Sequence, residues 1–365
     1  MRERERIPSG CAVAGVLSWT GQPVGGETII RAMRVMHERS NGLGGGFAGY
    51  GIYPDFAELY AFHLLYDSLE SADDVEAILQ KNFVIEHQEA IPFWEHSPIT
   101  DYPVFIRYFL RPRGSEDEEE LVVQTVMTVN ARVEGAYVIS SGKNMGVFKG
   151  VGYPEDIGEF FRLDEYQGYC WIAHGRFPTN SVGWWGGAHP FNLLNFSVVH
   201  NGELSSYGIN RRYLENFGYF CTLQTDTEVI AYLLDLLLRR HKVPPAMLGA
   251  IFASPFWSEI DAMEEPQRSF YKAIRLTYGG ALLNGPFSII VGFEGGMLGL
   301  VDRIKLRPMV GGWDKDTFYL ASEESAIREI APHLNEIRAL KAGEVMIGTV
   351  KEGVYHGQEF AVSRI

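Results

Sequence analysis

Cysteine is scarce in this chain of 365 residues: Cys11, Cys170 and Cys221 are the full complement. So small and odd a number builds no disulfide framework, and a reducing, cytoplasmic setting is expected. Long apolar runs are missing too. No stretch of eighteen apolar residues occurs, so no membrane-spanning helix is expected. The N-terminus carries charge but no apolar segment, which is not the pattern of a secretory signal. Basic residues are outnumbered, 32 Lys and Arg against 46 Asp and Glu, for a net charge of -14. That argues against nucleic acid and anionic membrane surfaces as general partners. Metal-ligand patterns are lacking: there is no C-x-x-C, and no histidine has an i, i+4 partner with a carboxylate. His174, His189 and His200 fall in one region and read as core or supporting histidines, so no metal site is expected.

What is present is ample core material. Hydrophobic residues make up 46% and aromatics 13%, which fits a globular chain. Residues 11–18 read as a buried strand and Glu27–Arg39 as an amphipathic helix. Asn41–Gly49 reads as a glycine-rich turn leading into a strand through Tyr50 and Ile52. Gly44, Gly46 and Gly49 satisfy G-x-G-x-x-G. A dinucleotide loop, however, needs a strand before it and a helix after it, and here the order is reversed. Ala72–Lys81 reads as a helix, and Val104–Leu110 and Leu121–Thr128 as strands. Arg111–Glu120 between them reads as a solvated loop. Ala136–Ser140 and Met145–Lys149 continue the strand pattern. The block at about 55–165 reads as an elaboration within one domain. Further strands are expected at Tyr169–His174, Phe196–His200, Phe287–Phe293, Met297–Asp302, Thr317–Ala321 and Val345–Thr349. Thr225–Arg240 is the clearest helix, opened by the capping pattern Thr225-Asp-Thr-Glu228. Strand clusters with helices between them predict a layered α+β domain.

Cys11 opens the first strand. Met1–Gly10 ahead of it reads as neither strand nor packing helix. Were those ten residues removed, Cys11 would carry a thiol and a free α-amine together. The thiol titrates near ~8.5 and the amine near ~7.7–8.0, so the amine can take the thiol proton near neutral pH. A cysteine in an apolar strand is otherwise a small core residue, and the downstream residues decide between the two. Arg176 follows a strand end, where a guanidinium can clamp a carboxylate or form a surface ion pair. Asn201-Gly202 suits either a hairpin turn or an oxyanion hole. Asp226 lies in the first turn of the capped helix, placed to favour the dipole or to bind an ammonium group.

Together these motifs resemble the class II glutamine amidotransferases. The features that match are a cysteine opening a small apolar strand, His174-x-Arg176-x-x-Thr179, His200-Asn-Gly202 and Thr225-Asp-Thr-Glu228. Asp302-Arg-Ile-Lys-Leu-Arg-Pro308, Ala321-Ser-Glu323 and Ala342-Gly-Glu344 are similar to the amidotransferase domains of glutamate synthase and amidophosphoribosyltransferase. The resemblance spans residues 11–50 and 168–350. It implies a four-layer αββα sandwich of the N-terminal-nucleophile hydrolase type over 11–365, preceded by a propeptide, 1–10. It also implies roles. Cys11 is the nucleophile, Asn201 and Gly202 form the oxyanion hole, and Arg176 and Asp226 hold the α-carboxylate and α-ammonium of glutamine. Thr179 belongs to the substrate turn, and residues 177–187 are the candidate lid. Phe177 and Asn180 stand where relatives often have Trp and His.

Within the family the chain is most similar to a stand-alone amidotransferase subunit of glutamate synthase type. Its length leaves no room for a phosphoribosyltransferase or sugar-isomerase domain. The implied partner is an ammonia-accepting synthase, such as a glutamate synthase subunit carrying FMN and iron–sulfur clusters. No cofactor is expected in this chain, and homo-oligomerisation is left open. Two other readings remain at this stage. One is a different cysteine amide hydrolase of the same fold; the other is a non-catalytic glutamine-binding or scaffold subunit that keeps its first ten residues.

Overall fold

The structure is a computed structural model that describes residues 10–95, 97–114, 117–177 and 183–350, and the backbone of 353–357. The strand Ala12–Ser18 is buried at every position. Alternation explains its unbroken apolar run. Ala12, Ala14 and Val16 face helices, while Val13 and Leu17 face a second sheet. This strand is central in a seven-stranded antiparallel sheet. Its neighbours are Thr317–Ala321 on one side and Cys170–Gly175 on the other, then Gly45–Tyr50 and the edge strand Met145–Gly150. Val13, Leu17 and Ile172 pack against Val199, Ile290 and Met297 of a six-stranded sheet. That second sheet runs Phe191–Leu193, Phe196–Gly202, Phe287–Phe293, Gly296–Val301, Val345–Thr349 and Gly353–Gly357.

Helices cover both outer faces. Ile29, Ile30 and Met33 of helix Gly26–Val35, with Ile157 and Phe160 of helix Pro154–Phe160, pack on the first sheet. Val229, Ile230 and Leu233 of helix Asp226–Leu234 pack on the second. The order helix, sheet, sheet, helix is the αββα sandwich that the resemblance implies. Among the described residues no helix is long and apolar enough to cross a membrane.

The block at 55–165 forms a four-stranded sheet ordered Phe83–Ala90, Val104–Pro112, Tyr60–Tyr66 and Ala136–Ser140. Its last members, Met145–Gly150 and Pro154–Phe160, return to the main sandwich.

Several local expectations are corrected. Leu121–Thr128 is not a strand but part of helix Glu118–Arg132. Val122, Val126 and Val129 recur at helical spacing and are buried, and Asp117 caps the helix by accepting the Glu120 N–H at 2.9 Å. The second half of the expected loop Arg111–Glu120 is therefore the start of that helix. The expected turn Asn41–Gly49 ends early, because Gly45–Tyr50 is a strand inside the main sheet. A Cβ at Gly46 would collide with the His189 carbonyl, so these glycines serve close packing. The helix expected to reach Arg39 ends at Val35 and continues as a 3₁₀ turn, His37–Arg39.

Candidate active site

Sheet register brings the first elements of the site together. Ala12 pairs with Gly175, so Cys11 and Arg176 leave adjacent strand ends side by side. The Cys11 sulfur accepts the Phe177 N–H at 3.3 Å. Burial pushes the thiol up; the Phe177 N–H and the guanidinium groups of Arg176, Arg307 and Arg39 offset part of that rise. Arg39 donates from Nε and Nη2 to the Cys11 carbonyl, both at 3.3 Å, and pairs through Nη1 with Glu323 at 2.9 Å. It holds the backbone of the cysteine through its carbonyl.

The second sheet supplies the facing wall. Strand Phe196–Gly202 ends at Asn201 and Gly202, and both are still paired, with Ser288 and Phe287. They are strand residues, not a hairpin turn. Asn201 is fully buried, and neither its amide nitrogen nor its amide oxygen has a partner among the described residues. Such a group costs ~1–3 kcal/mol and needs an explanation. Gly202 has φ +150°, and a Cβ there would collide with the Pro286 carbonyl, so only glycine fits.

Asp226 opens its helix after Thr225, whose hydroxyl accepts the Glu228 N–H at 3.2 Å. Asp226 Oδ2 accepts the Leu204 N–H at 3.0 Å, and Oδ1 accepts the Thr227 hydroxyl at 3.3 Å. Burial alone would raise this carboxyl. The His200 ring, whose Nδ1 is 3.7 Å away, and those two donors outweigh it, so it lies below its usual range. Burial likewise lowers the Arg176 guanidinium, with Cys11 and Asp226 acting in the opposite sense.

Three histidines lie under this constellation. His174 stacks on His189 with centroids 4.0 Å apart, and Thr227 Oγ1 sits 3.1 Å from His189 Nε2 and 3.2 Å from His200 Nδ1. Burial pushes His174 down to about 3 and His189 well below its ordinary value. His174 and His189 form a neutral packed support. Among the described residues no group of three or more His, Cys, Asp or Glu side chains is arranged to hold a metal.

One cavity of about 700 Å³ is lined by Cys11, Arg176, Asn201, Gly202 and Asp226 together, with Arg307, Tyr137 and Trp184. Thr179 and residues 178–182 of the expected lid lie outside the described residues. The sequence reading missed Arg39, Arg307 and Tyr137. Arg39 bears no local motif, and Arg307 lies in the Asp302–Pro308 pattern with no role assigned to it; only the fold shows that they converge on Cys11.

Residues 108–361 match the family described as class-II glutamine amidotransferases. Arg176, Asn201, Gly202 and Asp226 lie inside that span, and Cys11 lies ahead of it. An uncharacterized protein of Archaeoglobus fulgidus is 49% identical over 349 residues, 93% of this chain and 92% of that protein. A Methanothermobacter thermautotrophicus protein named "Putative glutamine amidotransferase" is 26% identical over 349 residues, 92% of this chain and 99% of that protein. The amidophosphoribosyltransferase of Methanocaldococcus jannaschii is 26% identical over 234 residues, 60% of this chain but only 43% of that protein. With the matched span exceeding two thirds of its length, the chain belongs to the class II glutamine amidotransferases.

Proposed function

We propose that this protein hydrolyses the side-chain amide of glutamine through a Cys11 thioester and passes the ammonia to a synthase partner. The observation that carries this reading is the shared cavity. It is lined by Cys11, by the two arginines Arg176 and Arg307, and by the acidic residues Asp226 and Glu203, with the orphaned Asn201 amide beside them.

Removal of Met1–Gly10 frees the α-amine of Cys11. The amine takes the thiol proton, and the sulfur attacks the glutamine Cδ. Negative charge develops on the amide oxygen, where the Asn201 Nδ2–H and the Gly202 N–H receive it. The protonated amine then gives its proton to the departing nitrogen, and ammonia leaves. Water, deprotonated by the same amine, hydrolyses the γ-glutamyl thioester to glutamate. Arg176 pairs with the α-carboxylate and Asp226 with the α-ammonium, so selection is by charge at both ends of a free amino acid. That pairing disfavours a general amide hydrolase. Thr179 is a further substrate-binding residue on this reading.

Ammonia in bulk water is lost to protonation, which favours a docked acceptor. The short propeptide expected ahead of Cys11 favours a glutamate synthase partner. On this reading FMN and iron–sulfur clusters belong to that partner, and this chain carries no cofactor. The setting is cytoplasmic.

Two measurements test the proposal. The intact mass of protein purified from its native host should correspond to loss of ten residues; a full-length mass would count decisively against the mechanism. A glutamine-analogue diazoketone should label one site, and Cys11→Ala should abolish that label.

A further inference from the structure

We infer that Lys149 and Tyr137 are positioning residues for the glutamine site, holding its Trp184–Gly187 wall. The inference rests on the glutamine reading above and adds residues that no sequence motif marks.

Lys149 is the penultimate residue of the edge strand Met145–Gly150 and is 1% exposed. Its Nζ donates to the Gly186 carbonyl at 2.9 Å and stands 4.3 Å from the Phe191 ring centroid. Gly186 and Gly187 have no room for a side chain, because the Trp184 ring folds back onto both. The carbonyl held by Lys149 and the ring that lines the cavity therefore move as one unit. Tyr137 meets the other side of that ring edge-on, with centroids 5.3 Å apart. The next residue, Trp185, donates from Nε1 to the Asp101 carbonyl at 3.2 Å and packs on Phe105 at 5.3 Å. These anchors all come from the 55–165 block, which gives that block a task at the site.

The opposite wall is held by Glu228. This buried carboxylate accepts the Thr222 and Leu223 N–H groups at 2.9 and 3.0 Å and the Tyr232 hydroxyl at 3.2 Å. Thr222 and Leu223 line the same cavity as Trp184. Glu228 and Lys149 each favour the other's charged form. Burial opposes this, pushing the lysine down to about 7 and the carboxyl up to about 7. A buried lysine is costly unless paired. Here the cost is borne where the Nζ holds the Gly186 carbonyl behind the Trp184 ring.

Inactivation by the glutamine-analogue diazoketone, followed as mass gain at Cys11 over a range of concentrations, separates binding (KI) from chemistry (kinact). Lys149→Met should raise KI about tenfold and leave kinact within about threefold, as expected when contacts equal in ground and transition states are lost. Alkylation by iodoacetamide, which has no amino-acid ends to bind, should be unchanged. An unchanged KI overturns the inference. So does a parallel fall in kinact and iodoacetamide reactivity, the signature of general loosening. If Lys149→Met does not fold, Tyr137→Leu carries the test, with KI rising about threefold when the Trp184 ring loses its support and an unchanged KI again overturning the inference. Wild-type protein that is not labelled saturably removes the glutamine reading and this inference with it. Saturable wild-type labelling with unaltered variants removes the inference alone.

Discussion

Asn201 concentrates the chemistry at the residue scale. A buried amide without a partner is a cost to folding, so its retention points to a ligand that completes it. The two consequences of removing it are opposite in kind. Asn201→Ala should lower kcat for glutamine hydrolysis by about 10²–10³, the loss of one donor to the developing oxyanion. It should leave unfolding free energy unchanged or raise it by up to ~1–3 kcal/mol, because an unsatisfied buried amide is removed and no side-chain hydrogen bond is lost. Paired steady-state kinetics and urea titrations check this. A variant with intact kcat, or one that loses rate only in proportion to stability, would remove Asn201 from the oxyanion role. Arg39 acts differently, since both of its contacts to Cys11 go to the carbonyl. It fixes where the nucleophile sits, and its charge is the smallest of the three guanidinium effects on the thiol.

At the scale of elements, strand register is what converts scattered motifs into a site. Ala12 opposite Gly175 and Gly202 opposite Phe287 set Cys11, Arg176 and Asn201 around one opening. The strand Gly45–Tyr50 supports this from behind, since Gly46 sits against the His189 carbonyl and the Lys149 side chain. Gly46→Ala should therefore destabilise the fold by ~1–3 kcal/mol through overpacking, read as a lower urea midpoint at unchanged m-value. Wild-type stability for this variant would show that the strand tolerates separation from the His189 segment. The same strand shows why part of the fold was not legible. Glycines mark turns by local preference, whereas here they allow two backbones to approach, which only tertiary structure decides. Leu121–Thr128 failed for a related reason. Its valines and threonines favour strands, but their buried members fall at helical spacing and Asp117 caps the first turn. By contrast, the strands on either side of Cys11 and Arg176 and the helix after Thr225 were readable, because apolar period and capping agree there. The site residues with roles in local motifs are readable too; Arg39 and Lys149 carry no motif, and Arg307, though inside the Asp302–Pro308 pattern, is placed at the site only by folding.

Across the whole molecule, burial holds imidazoles neutral at two seams. His63 joins the four-stranded sheet to the main one, with Nδ1 2.9 Å from the Val147 carbonyl and Nε2 2.8 Å from the Tyr53 hydroxyl. His174 and His189 lie beneath the cavity. Burial pushes His63 and His174 down to about 3, and His189 well below its ordinary value. An unfolded histidine titrates near ~6.5, so below that pH the unfolded chain binds protons that the folded one refuses. Stability therefore falls as pH drops from about 6.5 toward about 4, by up to about 1.4 kcal/mol per pH unit for each histidine. Glu228, raised to about 7 by burial, works in the opposite sense over much of this window, because its folded form takes up a proton before its unfolded form does. Three histidines less one carboxyl leave a net slope of at most about 2.7 kcal/mol per pH unit. Urea unfolding at half-unit steps between pH 7 and 4.5 measures it. His63→Gln should make the slope shallower by one histidine's share and leave diazoketone labelling of Cys11 at pH 7 unchanged, since His63 lies outside the cavity. A flat stability profile across that range would mean that these imidazoles accept protons within the fold, and that the packed support beneath the site is open to water.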